Sequence, residues 1–173
     1  MNRSNPLLIV LALAAIVLIL LNLSGKLHLR LPGHTLDIAG HARVVDGDTL
    51  DLGGRRIRLF GIDAPESAQT CERDGLSYAC GQAAKHFLEQ LIAGQPVACR
   101  AHDNDRYGRE VATCTVGNQD INAAMVGAGW AVAYRQYSTA YVPLEEQARS
   151  RRAGIWAGRF ELPSAWRREQ HGL

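Results

Sequence analysis

The sequence predicts a mainly β fold with packed α-helices, an α+β domain built on a small antiparallel β-barrel and preceded by an N-terminal hydrophobic helix. Three observations support it: short runs of alternating apolar and polar residues broken by glycines, three helical segments marked by apolar spacing or by terminal proline, glutamate and arginine residues, and an entirely apolar run at residues 7–21. The predicted order is about five strands, with one helix inserted among them and two helices at the end.

The composition bounds the kinds of protein that this chain can be. A length of 173 residues suits one domain with an appendage, and 47% hydrophobic residues allow a packed core. The formal net charge is only +2, and Arg3 near the N-terminus supplies part of it. Attraction of an anionic polymer to the whole surface is therefore excluded, so nucleic-acid binding would need a local arrangement of charge.

The N-terminal run reads LLIVLALAAIVLILL, and Leu23 extends it past Asn22. A helix over residues 7–23 would span about 25 Å at roughly 1.5 Å per residue, at the short end for crossing a bilayer. Because no small-x-small cleavage pattern follows, we expect residues 1–23 to be a retained transmembrane signal anchor, with a cleaved signal peptide as the alternative. The folded part would then lie in the periplasm or the extracellular space, membrane-anchored or, after cleavage, secreted.

Four cysteines, without a CxxC pair, argue against a structural zinc site. An even number behind an export-like segment predicts two disulfides in an oxidising compartment. Cys99 and Cys114 lie on strand-like runs either side of a polar turn and could face each other in a hairpin. Cys71 and Cys80 bracket a polar loop that a bridge would restrain. The alternative is four buried or reduced thiols.

Beyond residue 23, we expect a juxtamembrane linker and first strand at residues 24–40, a folded domain at 41–160 and a C-terminal tail at 161–173. The segment HTLDIAGHARVVDGDTLDLGGRRIRLFGI alternates apolar and polar residues as short strands do, and Gly53-Gly54 is its clearest hairpin turn. Two more strands flank DNDRYGR, the polar turn of a second hairpin.

Helical spacing of apolar residues predicts the first helix from Ala84 to Ile92, ending near Gly94. The second helix begins with Asp120 as its N-cap, and the third has Pro143 at its first position. The arginines between residues 149 and 168 are predicted to form a solvated helical face, with a dedicated phosphate track as the alternative.

Two acidic motifs are the main chemical signal. In DGDT, Asp46 and Asp48 face the same side of an extended chain, and in DAPE, Asp63 and Glu66 follow the strand after the hairpin turn. A lone acidic turn is usually solvated, but that hairpin would bring the two motifs side by side. Carboxylates together with a backbone carbonyl are the oxygen ligands that Ca²⁺ takes in proteins.

Arginines accompany the acidic motifs. Arg58 lies on the strand RRIRLF and would reach Asp63 only if Gly61 bends the chain. In the turn DRYGR, Arg106 and Arg109 offer planar guanidinium groups that fit phosphate, and the tyrosine between them offers a hydrogen-bond donor or a stacking surface. A cation seat, arginines and a carboxylate not needed for the cation together suit phosphodiester hydrolysis.

The motifs DGDT, IRLFGIDAPE, DRYGR and INAAMVGAGWA, in this order, resemble those of the staphylococcal nuclease family, the thermonuclease-like domains, over about residues 41–157. The resemblance implies an OB-fold, a five-stranded β-barrel with three packed helices. It also implies a monomeric, Ca²⁺-dependent nuclease that hydrolyses DNA and RNA with little sequence specificity, favouring single-stranded or unpaired stretches.

The resemblance further implies three groups of site residues. The implied calcium ligands are Asp48, Asp63 and the carbonyl of Ala64, with Asp46 acting through water. The implied catalytic residues are Arg58, Glu66 and Arg109, with Glu66 as the base or the water-positioning group. The substrate contacts are Arg106 and Tyr107, to which Tyr134 is added from the sequence as a residue that could stack a base or simply pack.

Two departures from the family pattern stand out: the archetypal members lack cysteines, and the segment between Glu66 and the first helix is longer here. Two other classes of protein compete with a nuclease. A binding module that has lost its catalytic residues is disfavoured by the joint presence of Arg58, Glu66 and Arg109. A membrane-tethered structural protein with a protein partner would leave the acidic and arginine motifs unexplained.

Overall fold

A curled β-sheet with α-helices packed on it makes up the part of the chain that the computed structural model describes, residues 37–170. The expected anchor at residues 1–23 and most of the expected linker at 24–40 lie outside these residues. Among residues 37–170, no helix combines the length and apolarity needed to cross a membrane.

Eleven strands are found in residues 37–170, and they form one large sheet and two small ones. They are β1 (Asp37–His41), β2 (Arg43–Asp46), β3 (Thr49–Leu52), β4 (Arg55–Leu59), β5 (Ile62–Asp63), β6 (Cys71–Arg73), β7 (Leu76–Tyr78), β8 (Pro96–Asn104), β9 (Glu110–Val116), β10 (Gln119–Asp120) and β11 (Val132–Ala133). The large sheet has the order β1-β8-β9-β4-β3-β2, with β10 added to β9. The pairs β5 with β11 and β6 with β7 form the small sheets.

The two ends of the large sheet are consecutive in the chain, because only Ala42 separates β1 from β2. Counted as one bent strand, β1 and β2 pair with β8 on one side and β3 on the other, so five strands curl round the core. The predicted α+β class and an OB-like architecture are confirmed. The prediction of a purely antiparallel sheet is wrong at one pair: β9 runs parallel to β4, because the long excursion through β8 brings the chain back in the same direction.

Alternation along the strands builds the core as the sequence predicts. On β4, Ile57 and Leu59 are fully buried while Arg58 faces the other way. Leu50 and Leu52 on β3 are buried with them beyond the Gly53-Gly54 turn, at which both φ angles are positive. Each of these side chains contributes about 1.5–3 kcal/mol on burial, so a slip of one residue that exposed them is strongly disfavoured. The core therefore fixes the side of β4 on which Arg58 lies.

The structure contains four α-helices in residues 37–170, one more than predicted. They are α1 (Cys80–Ile92), α2 (Ile121–Gly127), α3 (Val142–Ser150) and α4 (Pro163–Gln170). Asp120 caps α2 as expected, accepting a 2.9 Å hydrogen bond from the Ala123 amide. The additional helix α4 lies in the segment expected to be a tail; its sequence PSAWRREQ has too few apolar residues to give a helical periodicity.

Both disulfides are present and no cysteine is free in residues 37–170. Cys99 and Cys114 are directly opposite each other in the β8–β9 register, and Cys71 on β6 is bridged to Cys80 at the start of α1. The second bridge ties the long segment after Glu66 to helix α1.

Candidate functional site

The predicted bend at Gly61 brings Arg58 and Asp63 together. Gly61 has a φ of +73°, which is strained for other residues, and the chain turns there from β4 into β5. As a result Arg58 Nη2 lies 2.7 Å from Asp63 Oδ1, although the two residues are five apart in sequence. The Asp63 side chain is only 2% exposed, so this ion pair lies inside the protein.

Asp48 joins the same ion-pair group from the first acidic motif. Its Oδ1 lies 2.7 Å from Arg58 Nη1, and its Oδ2 accepts a 2.8 Å hydrogen bond from the Ala64 amide. Asp46 holds the turn itself, because its Oδ1 accepts a 3.0 Å hydrogen bond from the Asp48 amide. The two acidic motifs therefore lie side by side, as the hairpin between them predicted.

A glycine is needed between the two aspartates of the first motif. A Cβ atom on Gly47 would lie 2.7 Å from the Ala64 Cβ and 3.0 Å from the Ala84 Cβ. Such distances are too short for carbon atoms, so a larger residue would push the first acidic motif away from the second motif and from helix α1.

The group is crowded with negative charge. Burial raises the pKa of the Asp48 carboxyl, Arg58 opposes the increase, and the neighbouring carboxylates of Asp46 and Asp63 add to it. Burial by itself would lower the pKa of Arg58, but Asp48 and Asp63 raise it instead, so the guanidinium stays charged. A site where buried carboxylates outnumber the arginine between them favours a further cation.

Glu66 is placed beside this group by its backbone. Its amide donates to Gln69 Oε1 at 3.2 Å, and its carbonyl accepts from the Gln69 amide at 2.7 Å. A Cβ on Gly81, at the start of α1, would overlap the Glu66 carbonyl oxygen, so only glycine allows this close approach. The Glu66 side chain is 27% exposed and so is accessible to water.

Arg167, on helix α4, is a residue of this site that the sequence did not predict. Its Nη1 donates to Glu66 Oε1 at 2.6 Å and to Asp63 Oδ1 at 2.9 Å, and its Nη2 donates to Asp63 Oδ2 at 3.0 Å. Burial opposes ionisation, but Asp63 and Glu66 raise the pKa of Arg167. The predicted solvated face is therefore wrong for Arg167. Nothing local marks it, because its partners are 104 and 101 residues away in sequence.

The turn between β8 and β9 is organised by Asp105. Its carboxylate accepts hydrogen bonds from the Tyr107 amide at 2.9 Å, from the Arg109 amide at 3.0 Å and from Arg109 Nε at 2.6 Å. Burial would raise the pKa of Asp105, but the bonds from Arg109 and Tyr107 lower it. The guanidinium carbons of Arg106 and Arg109 lie 4.9 and 5.5 Å from the centre of the Tyr107 ring, and Tyr107 is 69% exposed.

Arg109 lies one residue before strand β9 and pairs with Asp105. In the parallel register Arg58 is opposite Val111, two residues beyond Arg109, so a continued strand alternation places Arg109 on the same face as Arg58. Its guanidinium is held by Asp105, 2.6 Å away. This alternation assigns Arg109 to the face of the sheet that carries Arg58.

Tyr134 lies beside strand β5. Its amide donates to the Gly61 carbonyl at 2.9 Å, and its ring centre is 4.8 Å from that of Tyr137 in an edge-to-face arrangement. Tyr141 instead is buried and donates to Asp120 Oδ2 at 3.2 Å, so it is a packing residue. Tyr134 and the ring of Tyr141 both lie against Gly61, immediately before the strand that carries Asp63.

The residues fit a hard cation in their donor chemistry. The oxygen atoms available are the carboxylates of Asp46, Asp48 and Asp63 and the carbonyl of Ala64, and oxygen is the donor that Ca²⁺ requires. Within residues 37–170, no three His, Cys, Asp or Glu side chains converge to enclose a metal as they stand. The guanidinium groups of Arg58 and Arg167 lie against the carboxylates instead.

Comparison with known proteins agrees with the motifs. Residues 56–158 match the family model described as "Staphylococcal nuclease homologue". The chain is 37% identical over 144 residues to "Micrococcal nuclease" of Shigella flexneri, covering 73% of this chain and 78% of that protein. It is 36% identical over 134 residues to "Succinoglycan biosynthesis protein ExoI" of Rhizobium meliloti, covering 75% and 70%.

An "Uncharacterized endonuclease" of Haemophilus influenzae is 36% identical over 136 residues, covering 74% of this chain and 71% of that protein. The family match spans more than half of the chain and includes Arg58, the bend at Gly61, Glu66 and the turn DRYGR at residues 105–109. The chain is therefore a nuclease and belongs to the staphylococcal nuclease family.

Proposed function

We propose that this nuclease hydrolyses phosphodiester bonds of DNA and RNA with little sequence specificity, uses Ca²⁺ as its cofactor and acts outside the cytoplasm. One observation carries the proposal: the buried ion pairs of Arg58 with Asp48 and Asp63 lie directly beside Glu66, which water can reach. A cation seat, a phosphate-binding charge and a water-activating carboxylate then occur within one site.

In this proposal Asp48, Asp63 and the Ala64 carbonyl hold the cation, and Asp46 acts through water. When bound, Ca²⁺ supplies positive charge next to the phosphoryl oxygens of the substrate. The burial of Asp48 and Asp63, whose side chains are 3% and 2% exposed, keeps their charge poorly solvated and so favours a counter-cation.

In this proposal Glu66 is the general base that activates water. Its carboxylate accepts a hydrogen bond from a water molecule and receives the proton as the water oxygen forms its bond to phosphorus. The bond between phosphorus and the leaving nucleoside oxygen breaks in the same displacement, and that oxygen takes a proton from solvent water and departs as a hydroxyl, while Glu66 returns its proton to solvent. Arg58 and Arg109 stabilise the negative charge that develops on the phosphoryl oxygens, a role in which a guanidinium supplies two parallel donors.

Substrate binding is assigned to Arg106, Tyr107 and Tyr134. Tyr107 exposes 69% of its surface, so an unpaired base can stack on its ring while Arg106 contacts phosphate. Stacking needs a base outside a duplex, and this requirement underlies the proposed preference for single-stranded or locally unpaired nucleic acid.

The extracytoplasmic location rests on the two disulfides, which persist in oxidising compartments. Membrane attachment through residues 7–23, with the nuclease domain at 41–160 acting as a monomer, belongs to the same proposal. The binding module without catalysis is the competing function that the experiment below separates.

The test is release of acid-soluble nucleotides from single-stranded DNA and RNA by the full chain, purified in a mild detergent. Reactions contain Ca²⁺, Mg²⁺ or a chelator, and Glu66→Gln is assayed beside Glu146→Gln, the same substitution at an exposed position of α3. We expect Ca²⁺-dependent release that Glu66→Gln lowers by about 10²–10⁴-fold and Glu146→Gln leaves unchanged.

Wild-type rates in Glu66→Gln would contradict the mechanism. A folded wild-type protein that binds both substrates and releases no nucleotides would favour the binding module.

A further inference from the structure

Helix α4 places a guanidinium on the carboxylates that the proposed function assigns to the cation and to water. Arg167 makes three hydrogen bonds there, two to Asp63 and one to Glu66. Asp63 Oδ1 also accepts from Arg58, so the two arginines take three of the roughly four acceptor positions of the Asp63 carboxylate. A divalent cation that uses Asp63 needs the oxygen atoms that Arg167 holds, and repulsion between the guanidinium and a divalent cation on one carboxylate opposes their binding together.

The chain is firmly attached just before α4. The buried side chain of Gln69 donates from Nε2 to the Glu161 carbonyl at 2.7 Å. The backbones of Glu72 and Arg159 exchange two hydrogen bonds, at 2.8 and 2.9 Å. The segment between Glu66 and α1, held by the disulfide from Cys71, thus forms the base from which α4 extends.

Helix α4 itself is weakly attached beyond that base. Pro163 is its one buried residue, residues 164–167 are partly buried, and residues 168–170 are exposed. The ion pairs of Arg167 are therefore the main connection between the body of α4 and the site. Elements with few buried apolar contacts open at low free-energy cost, so α4 can leave while the base stays in place.

Removal of Arg167 makes the site more negative, because Asp63 and Glu66 lose a paired cation. Asp46, Asp48, Asp63 and Glu66 would then face Arg58 as the nearest cation, because the Arg58 ion pairs with Asp48 and Asp63 do not involve α4. Arginine stays protonated at all ordinary pH values, so a change of pH does not release it. A competing cation is the ligand that can take its place.

We propose that α4 is a built-in inhibitory element: Arg167 closes the cation site, and Ca²⁺ opens it by displacing Arg167 from Asp63 and Glu66. The proposal rests on the calcium site of the proposed function. Displacement also frees Glu66 to accept a hydrogen bond from water. Coupling is reciprocal, so whatever removes Arg167 tightens Ca²⁺ binding, and Ca²⁺ binding loosens α4.

The first experiment measures the Kd for Ca²⁺ by calorimetry on the full chain and its variants. Arg167→Gln is expected to bind Ca²⁺ at least about tenfold more tightly than wild type, since a charged competitor worth one ion pair is removed. The matched control is Arg168→Gln, which removes the same charge from the next, exposed residue of α4 and is expected to stay within about twofold of wild type. Arg167→Lys, which keeps the charge without the guanidinium fork, should bind with an intermediate Kd.

The second experiment follows α4 by hydrogen exchange of the amides of residues 163–170. Ca²⁺ should speed exchange in wild type and in Arg168→Gln, whereas Arg167→Gln should exchange fast without Ca²⁺. Both measurements are independent of turnover.

Ca²⁺ binding by Arg167→Gln that is equal to or weaker than that of wild type would overturn the proposal. Hydrogen exchange in α4 of the wild type that Ca²⁺ does not change would also overturn it. Either result leaves the nuclease mechanism intact, because nucleotide release is measured separately. Failure of every variant and of wild type to bind Ca²⁺ would overturn both the inhibitory role of α4 and the calcium dependence of the nuclease.

Discussion

Two charged regions of this protein are built on opposite principles. The carboxylate cluster, formed by Asp48, Asp63 and Glu66 with the arginines that pair with them, has a buried centre: the side chains of the two aspartates are 3% and 2% exposed, whereas Glu66 and Arg167 at its edge are partly exposed. The arginine turn, residues 105–109, is a surface hairpin whose Tyr107 is 69% exposed. The sequence motifs mark both regions with equal clarity, yet the two differ in what holds their charges in place.

This difference predicts which charged residues stabilise the folded protein and which serve activity alone. In the carboxylate cluster, Asp48, Asp63 and Arg58 compensate one another's charge with little access to water, so loss of one partner leaves an unsolvated charge behind. In the arginine turn, Asp105 binds groups of its own hairpin, and water can replace any of them. Substitutions in the first region should cost stability as well as activity, and those in the second should cost activity alone.

The largest expected effect is that of Arg58→Gln on stability. Both Asp48 and Asp63 would lose a partner at 2.7 Å, and breaking a buried pair in this way costs about 3–5 kcal/mol. Urea unfolding followed by near-UV circular dichroism measures the change. Arg56→Gln is the matched control: Arg56 is two residues earlier on β4, its side chain is 49% exposed, and it lies 3.8 Å from Asp51, so its loss should cost less than about 1 kcal/mol.

Equal stability losses in the two variants would break the distinction between buried and exposed charge on which this comparison depends.

Arg109→Ala should have the opposite profile to Arg58→Gln, with a large loss of activity and a small loss of stability. Because Arg109 is proposed to stabilise charge on the phosphoryl oxygens, its loss should lower kcat on single-stranded DNA by about 10²–10³-fold. The free energy of unfolding should change by less than about 1 kcal/mol, since the partly exposed Asp105 is then solvated. Steady-state kinetics and urea unfolding on one sample give both numbers. Arg100→Ala, an exposed arginine of strand β8, controls for the lost charge. A stability loss as large as that of Arg58→Gln would place Arg109 with the buried cluster.

Tyr107→Ala should have a smaller effect, confined to substrate binding. Loss of one stacked base corresponds to about 1–3 kcal/mol, so the KM for single-stranded DNA should rise about tenfold or more while kcat changes little. Tyr107→Phe keeps the ring and should keep the KM. A KM that responds equally to both substitutions would point to the hydroxyl rather than to stacking.

The smallest expected effect is a pH response of the arginine turn. Hydrogen bonds hold the pKa of Asp105 in the folded protein below its ordinary value of 3.8. The stability that the charged Asp105 gives to the fold is therefore fully present above pH 3.8, and it is lost as the pH falls through the lower pKa of the folded protein. The amide chemical shift of Tyr107, which donates to Asp105, should report a midpoint below 3.8. Asp105→Asn should abolish the transition; a midpoint above 3.8 would show that the turn does not retain Asp105 in its charged form.

Much of the fold could be predicted because its signals are local. The alternation of Ile57 and Leu59 with Arg58, and the caps and turns around the helices, each occupy fewer than about ten neighbouring residues, within which periodicity and turn chemistry are decisive. The parallel pairing of β4 with β9 was not predicted, since it depends on the path of the whole intervening chain. Helix α4 was missed because its few apolar residues give no period.

The candidate site divides in the same way. The meeting of Arg58 with Asp63 followed from Gly61, a local feature, and the facing cysteines followed from the hairpin of β8 and β9. No sequence motif marks Gln69 or Arg167. Gln69 holds the C-terminal segment through its hydrogen bond to Glu161, and Arg167 pairs with the carboxylate cluster.

The sequence by itself determined the fold class, the family motifs and the side of β4 on which Arg58 lies, because side-chain alternation and turn residues act over a few positions. Only the tertiary structure decided that Arg167 meets Asp63, 104 residues away, and Glu66. That contact depends on the direction in which the chain leaves Glu161. The direction is set by packing of the C-terminal segment against Gln69 and Glu72, and no short stretch of sequence encodes it.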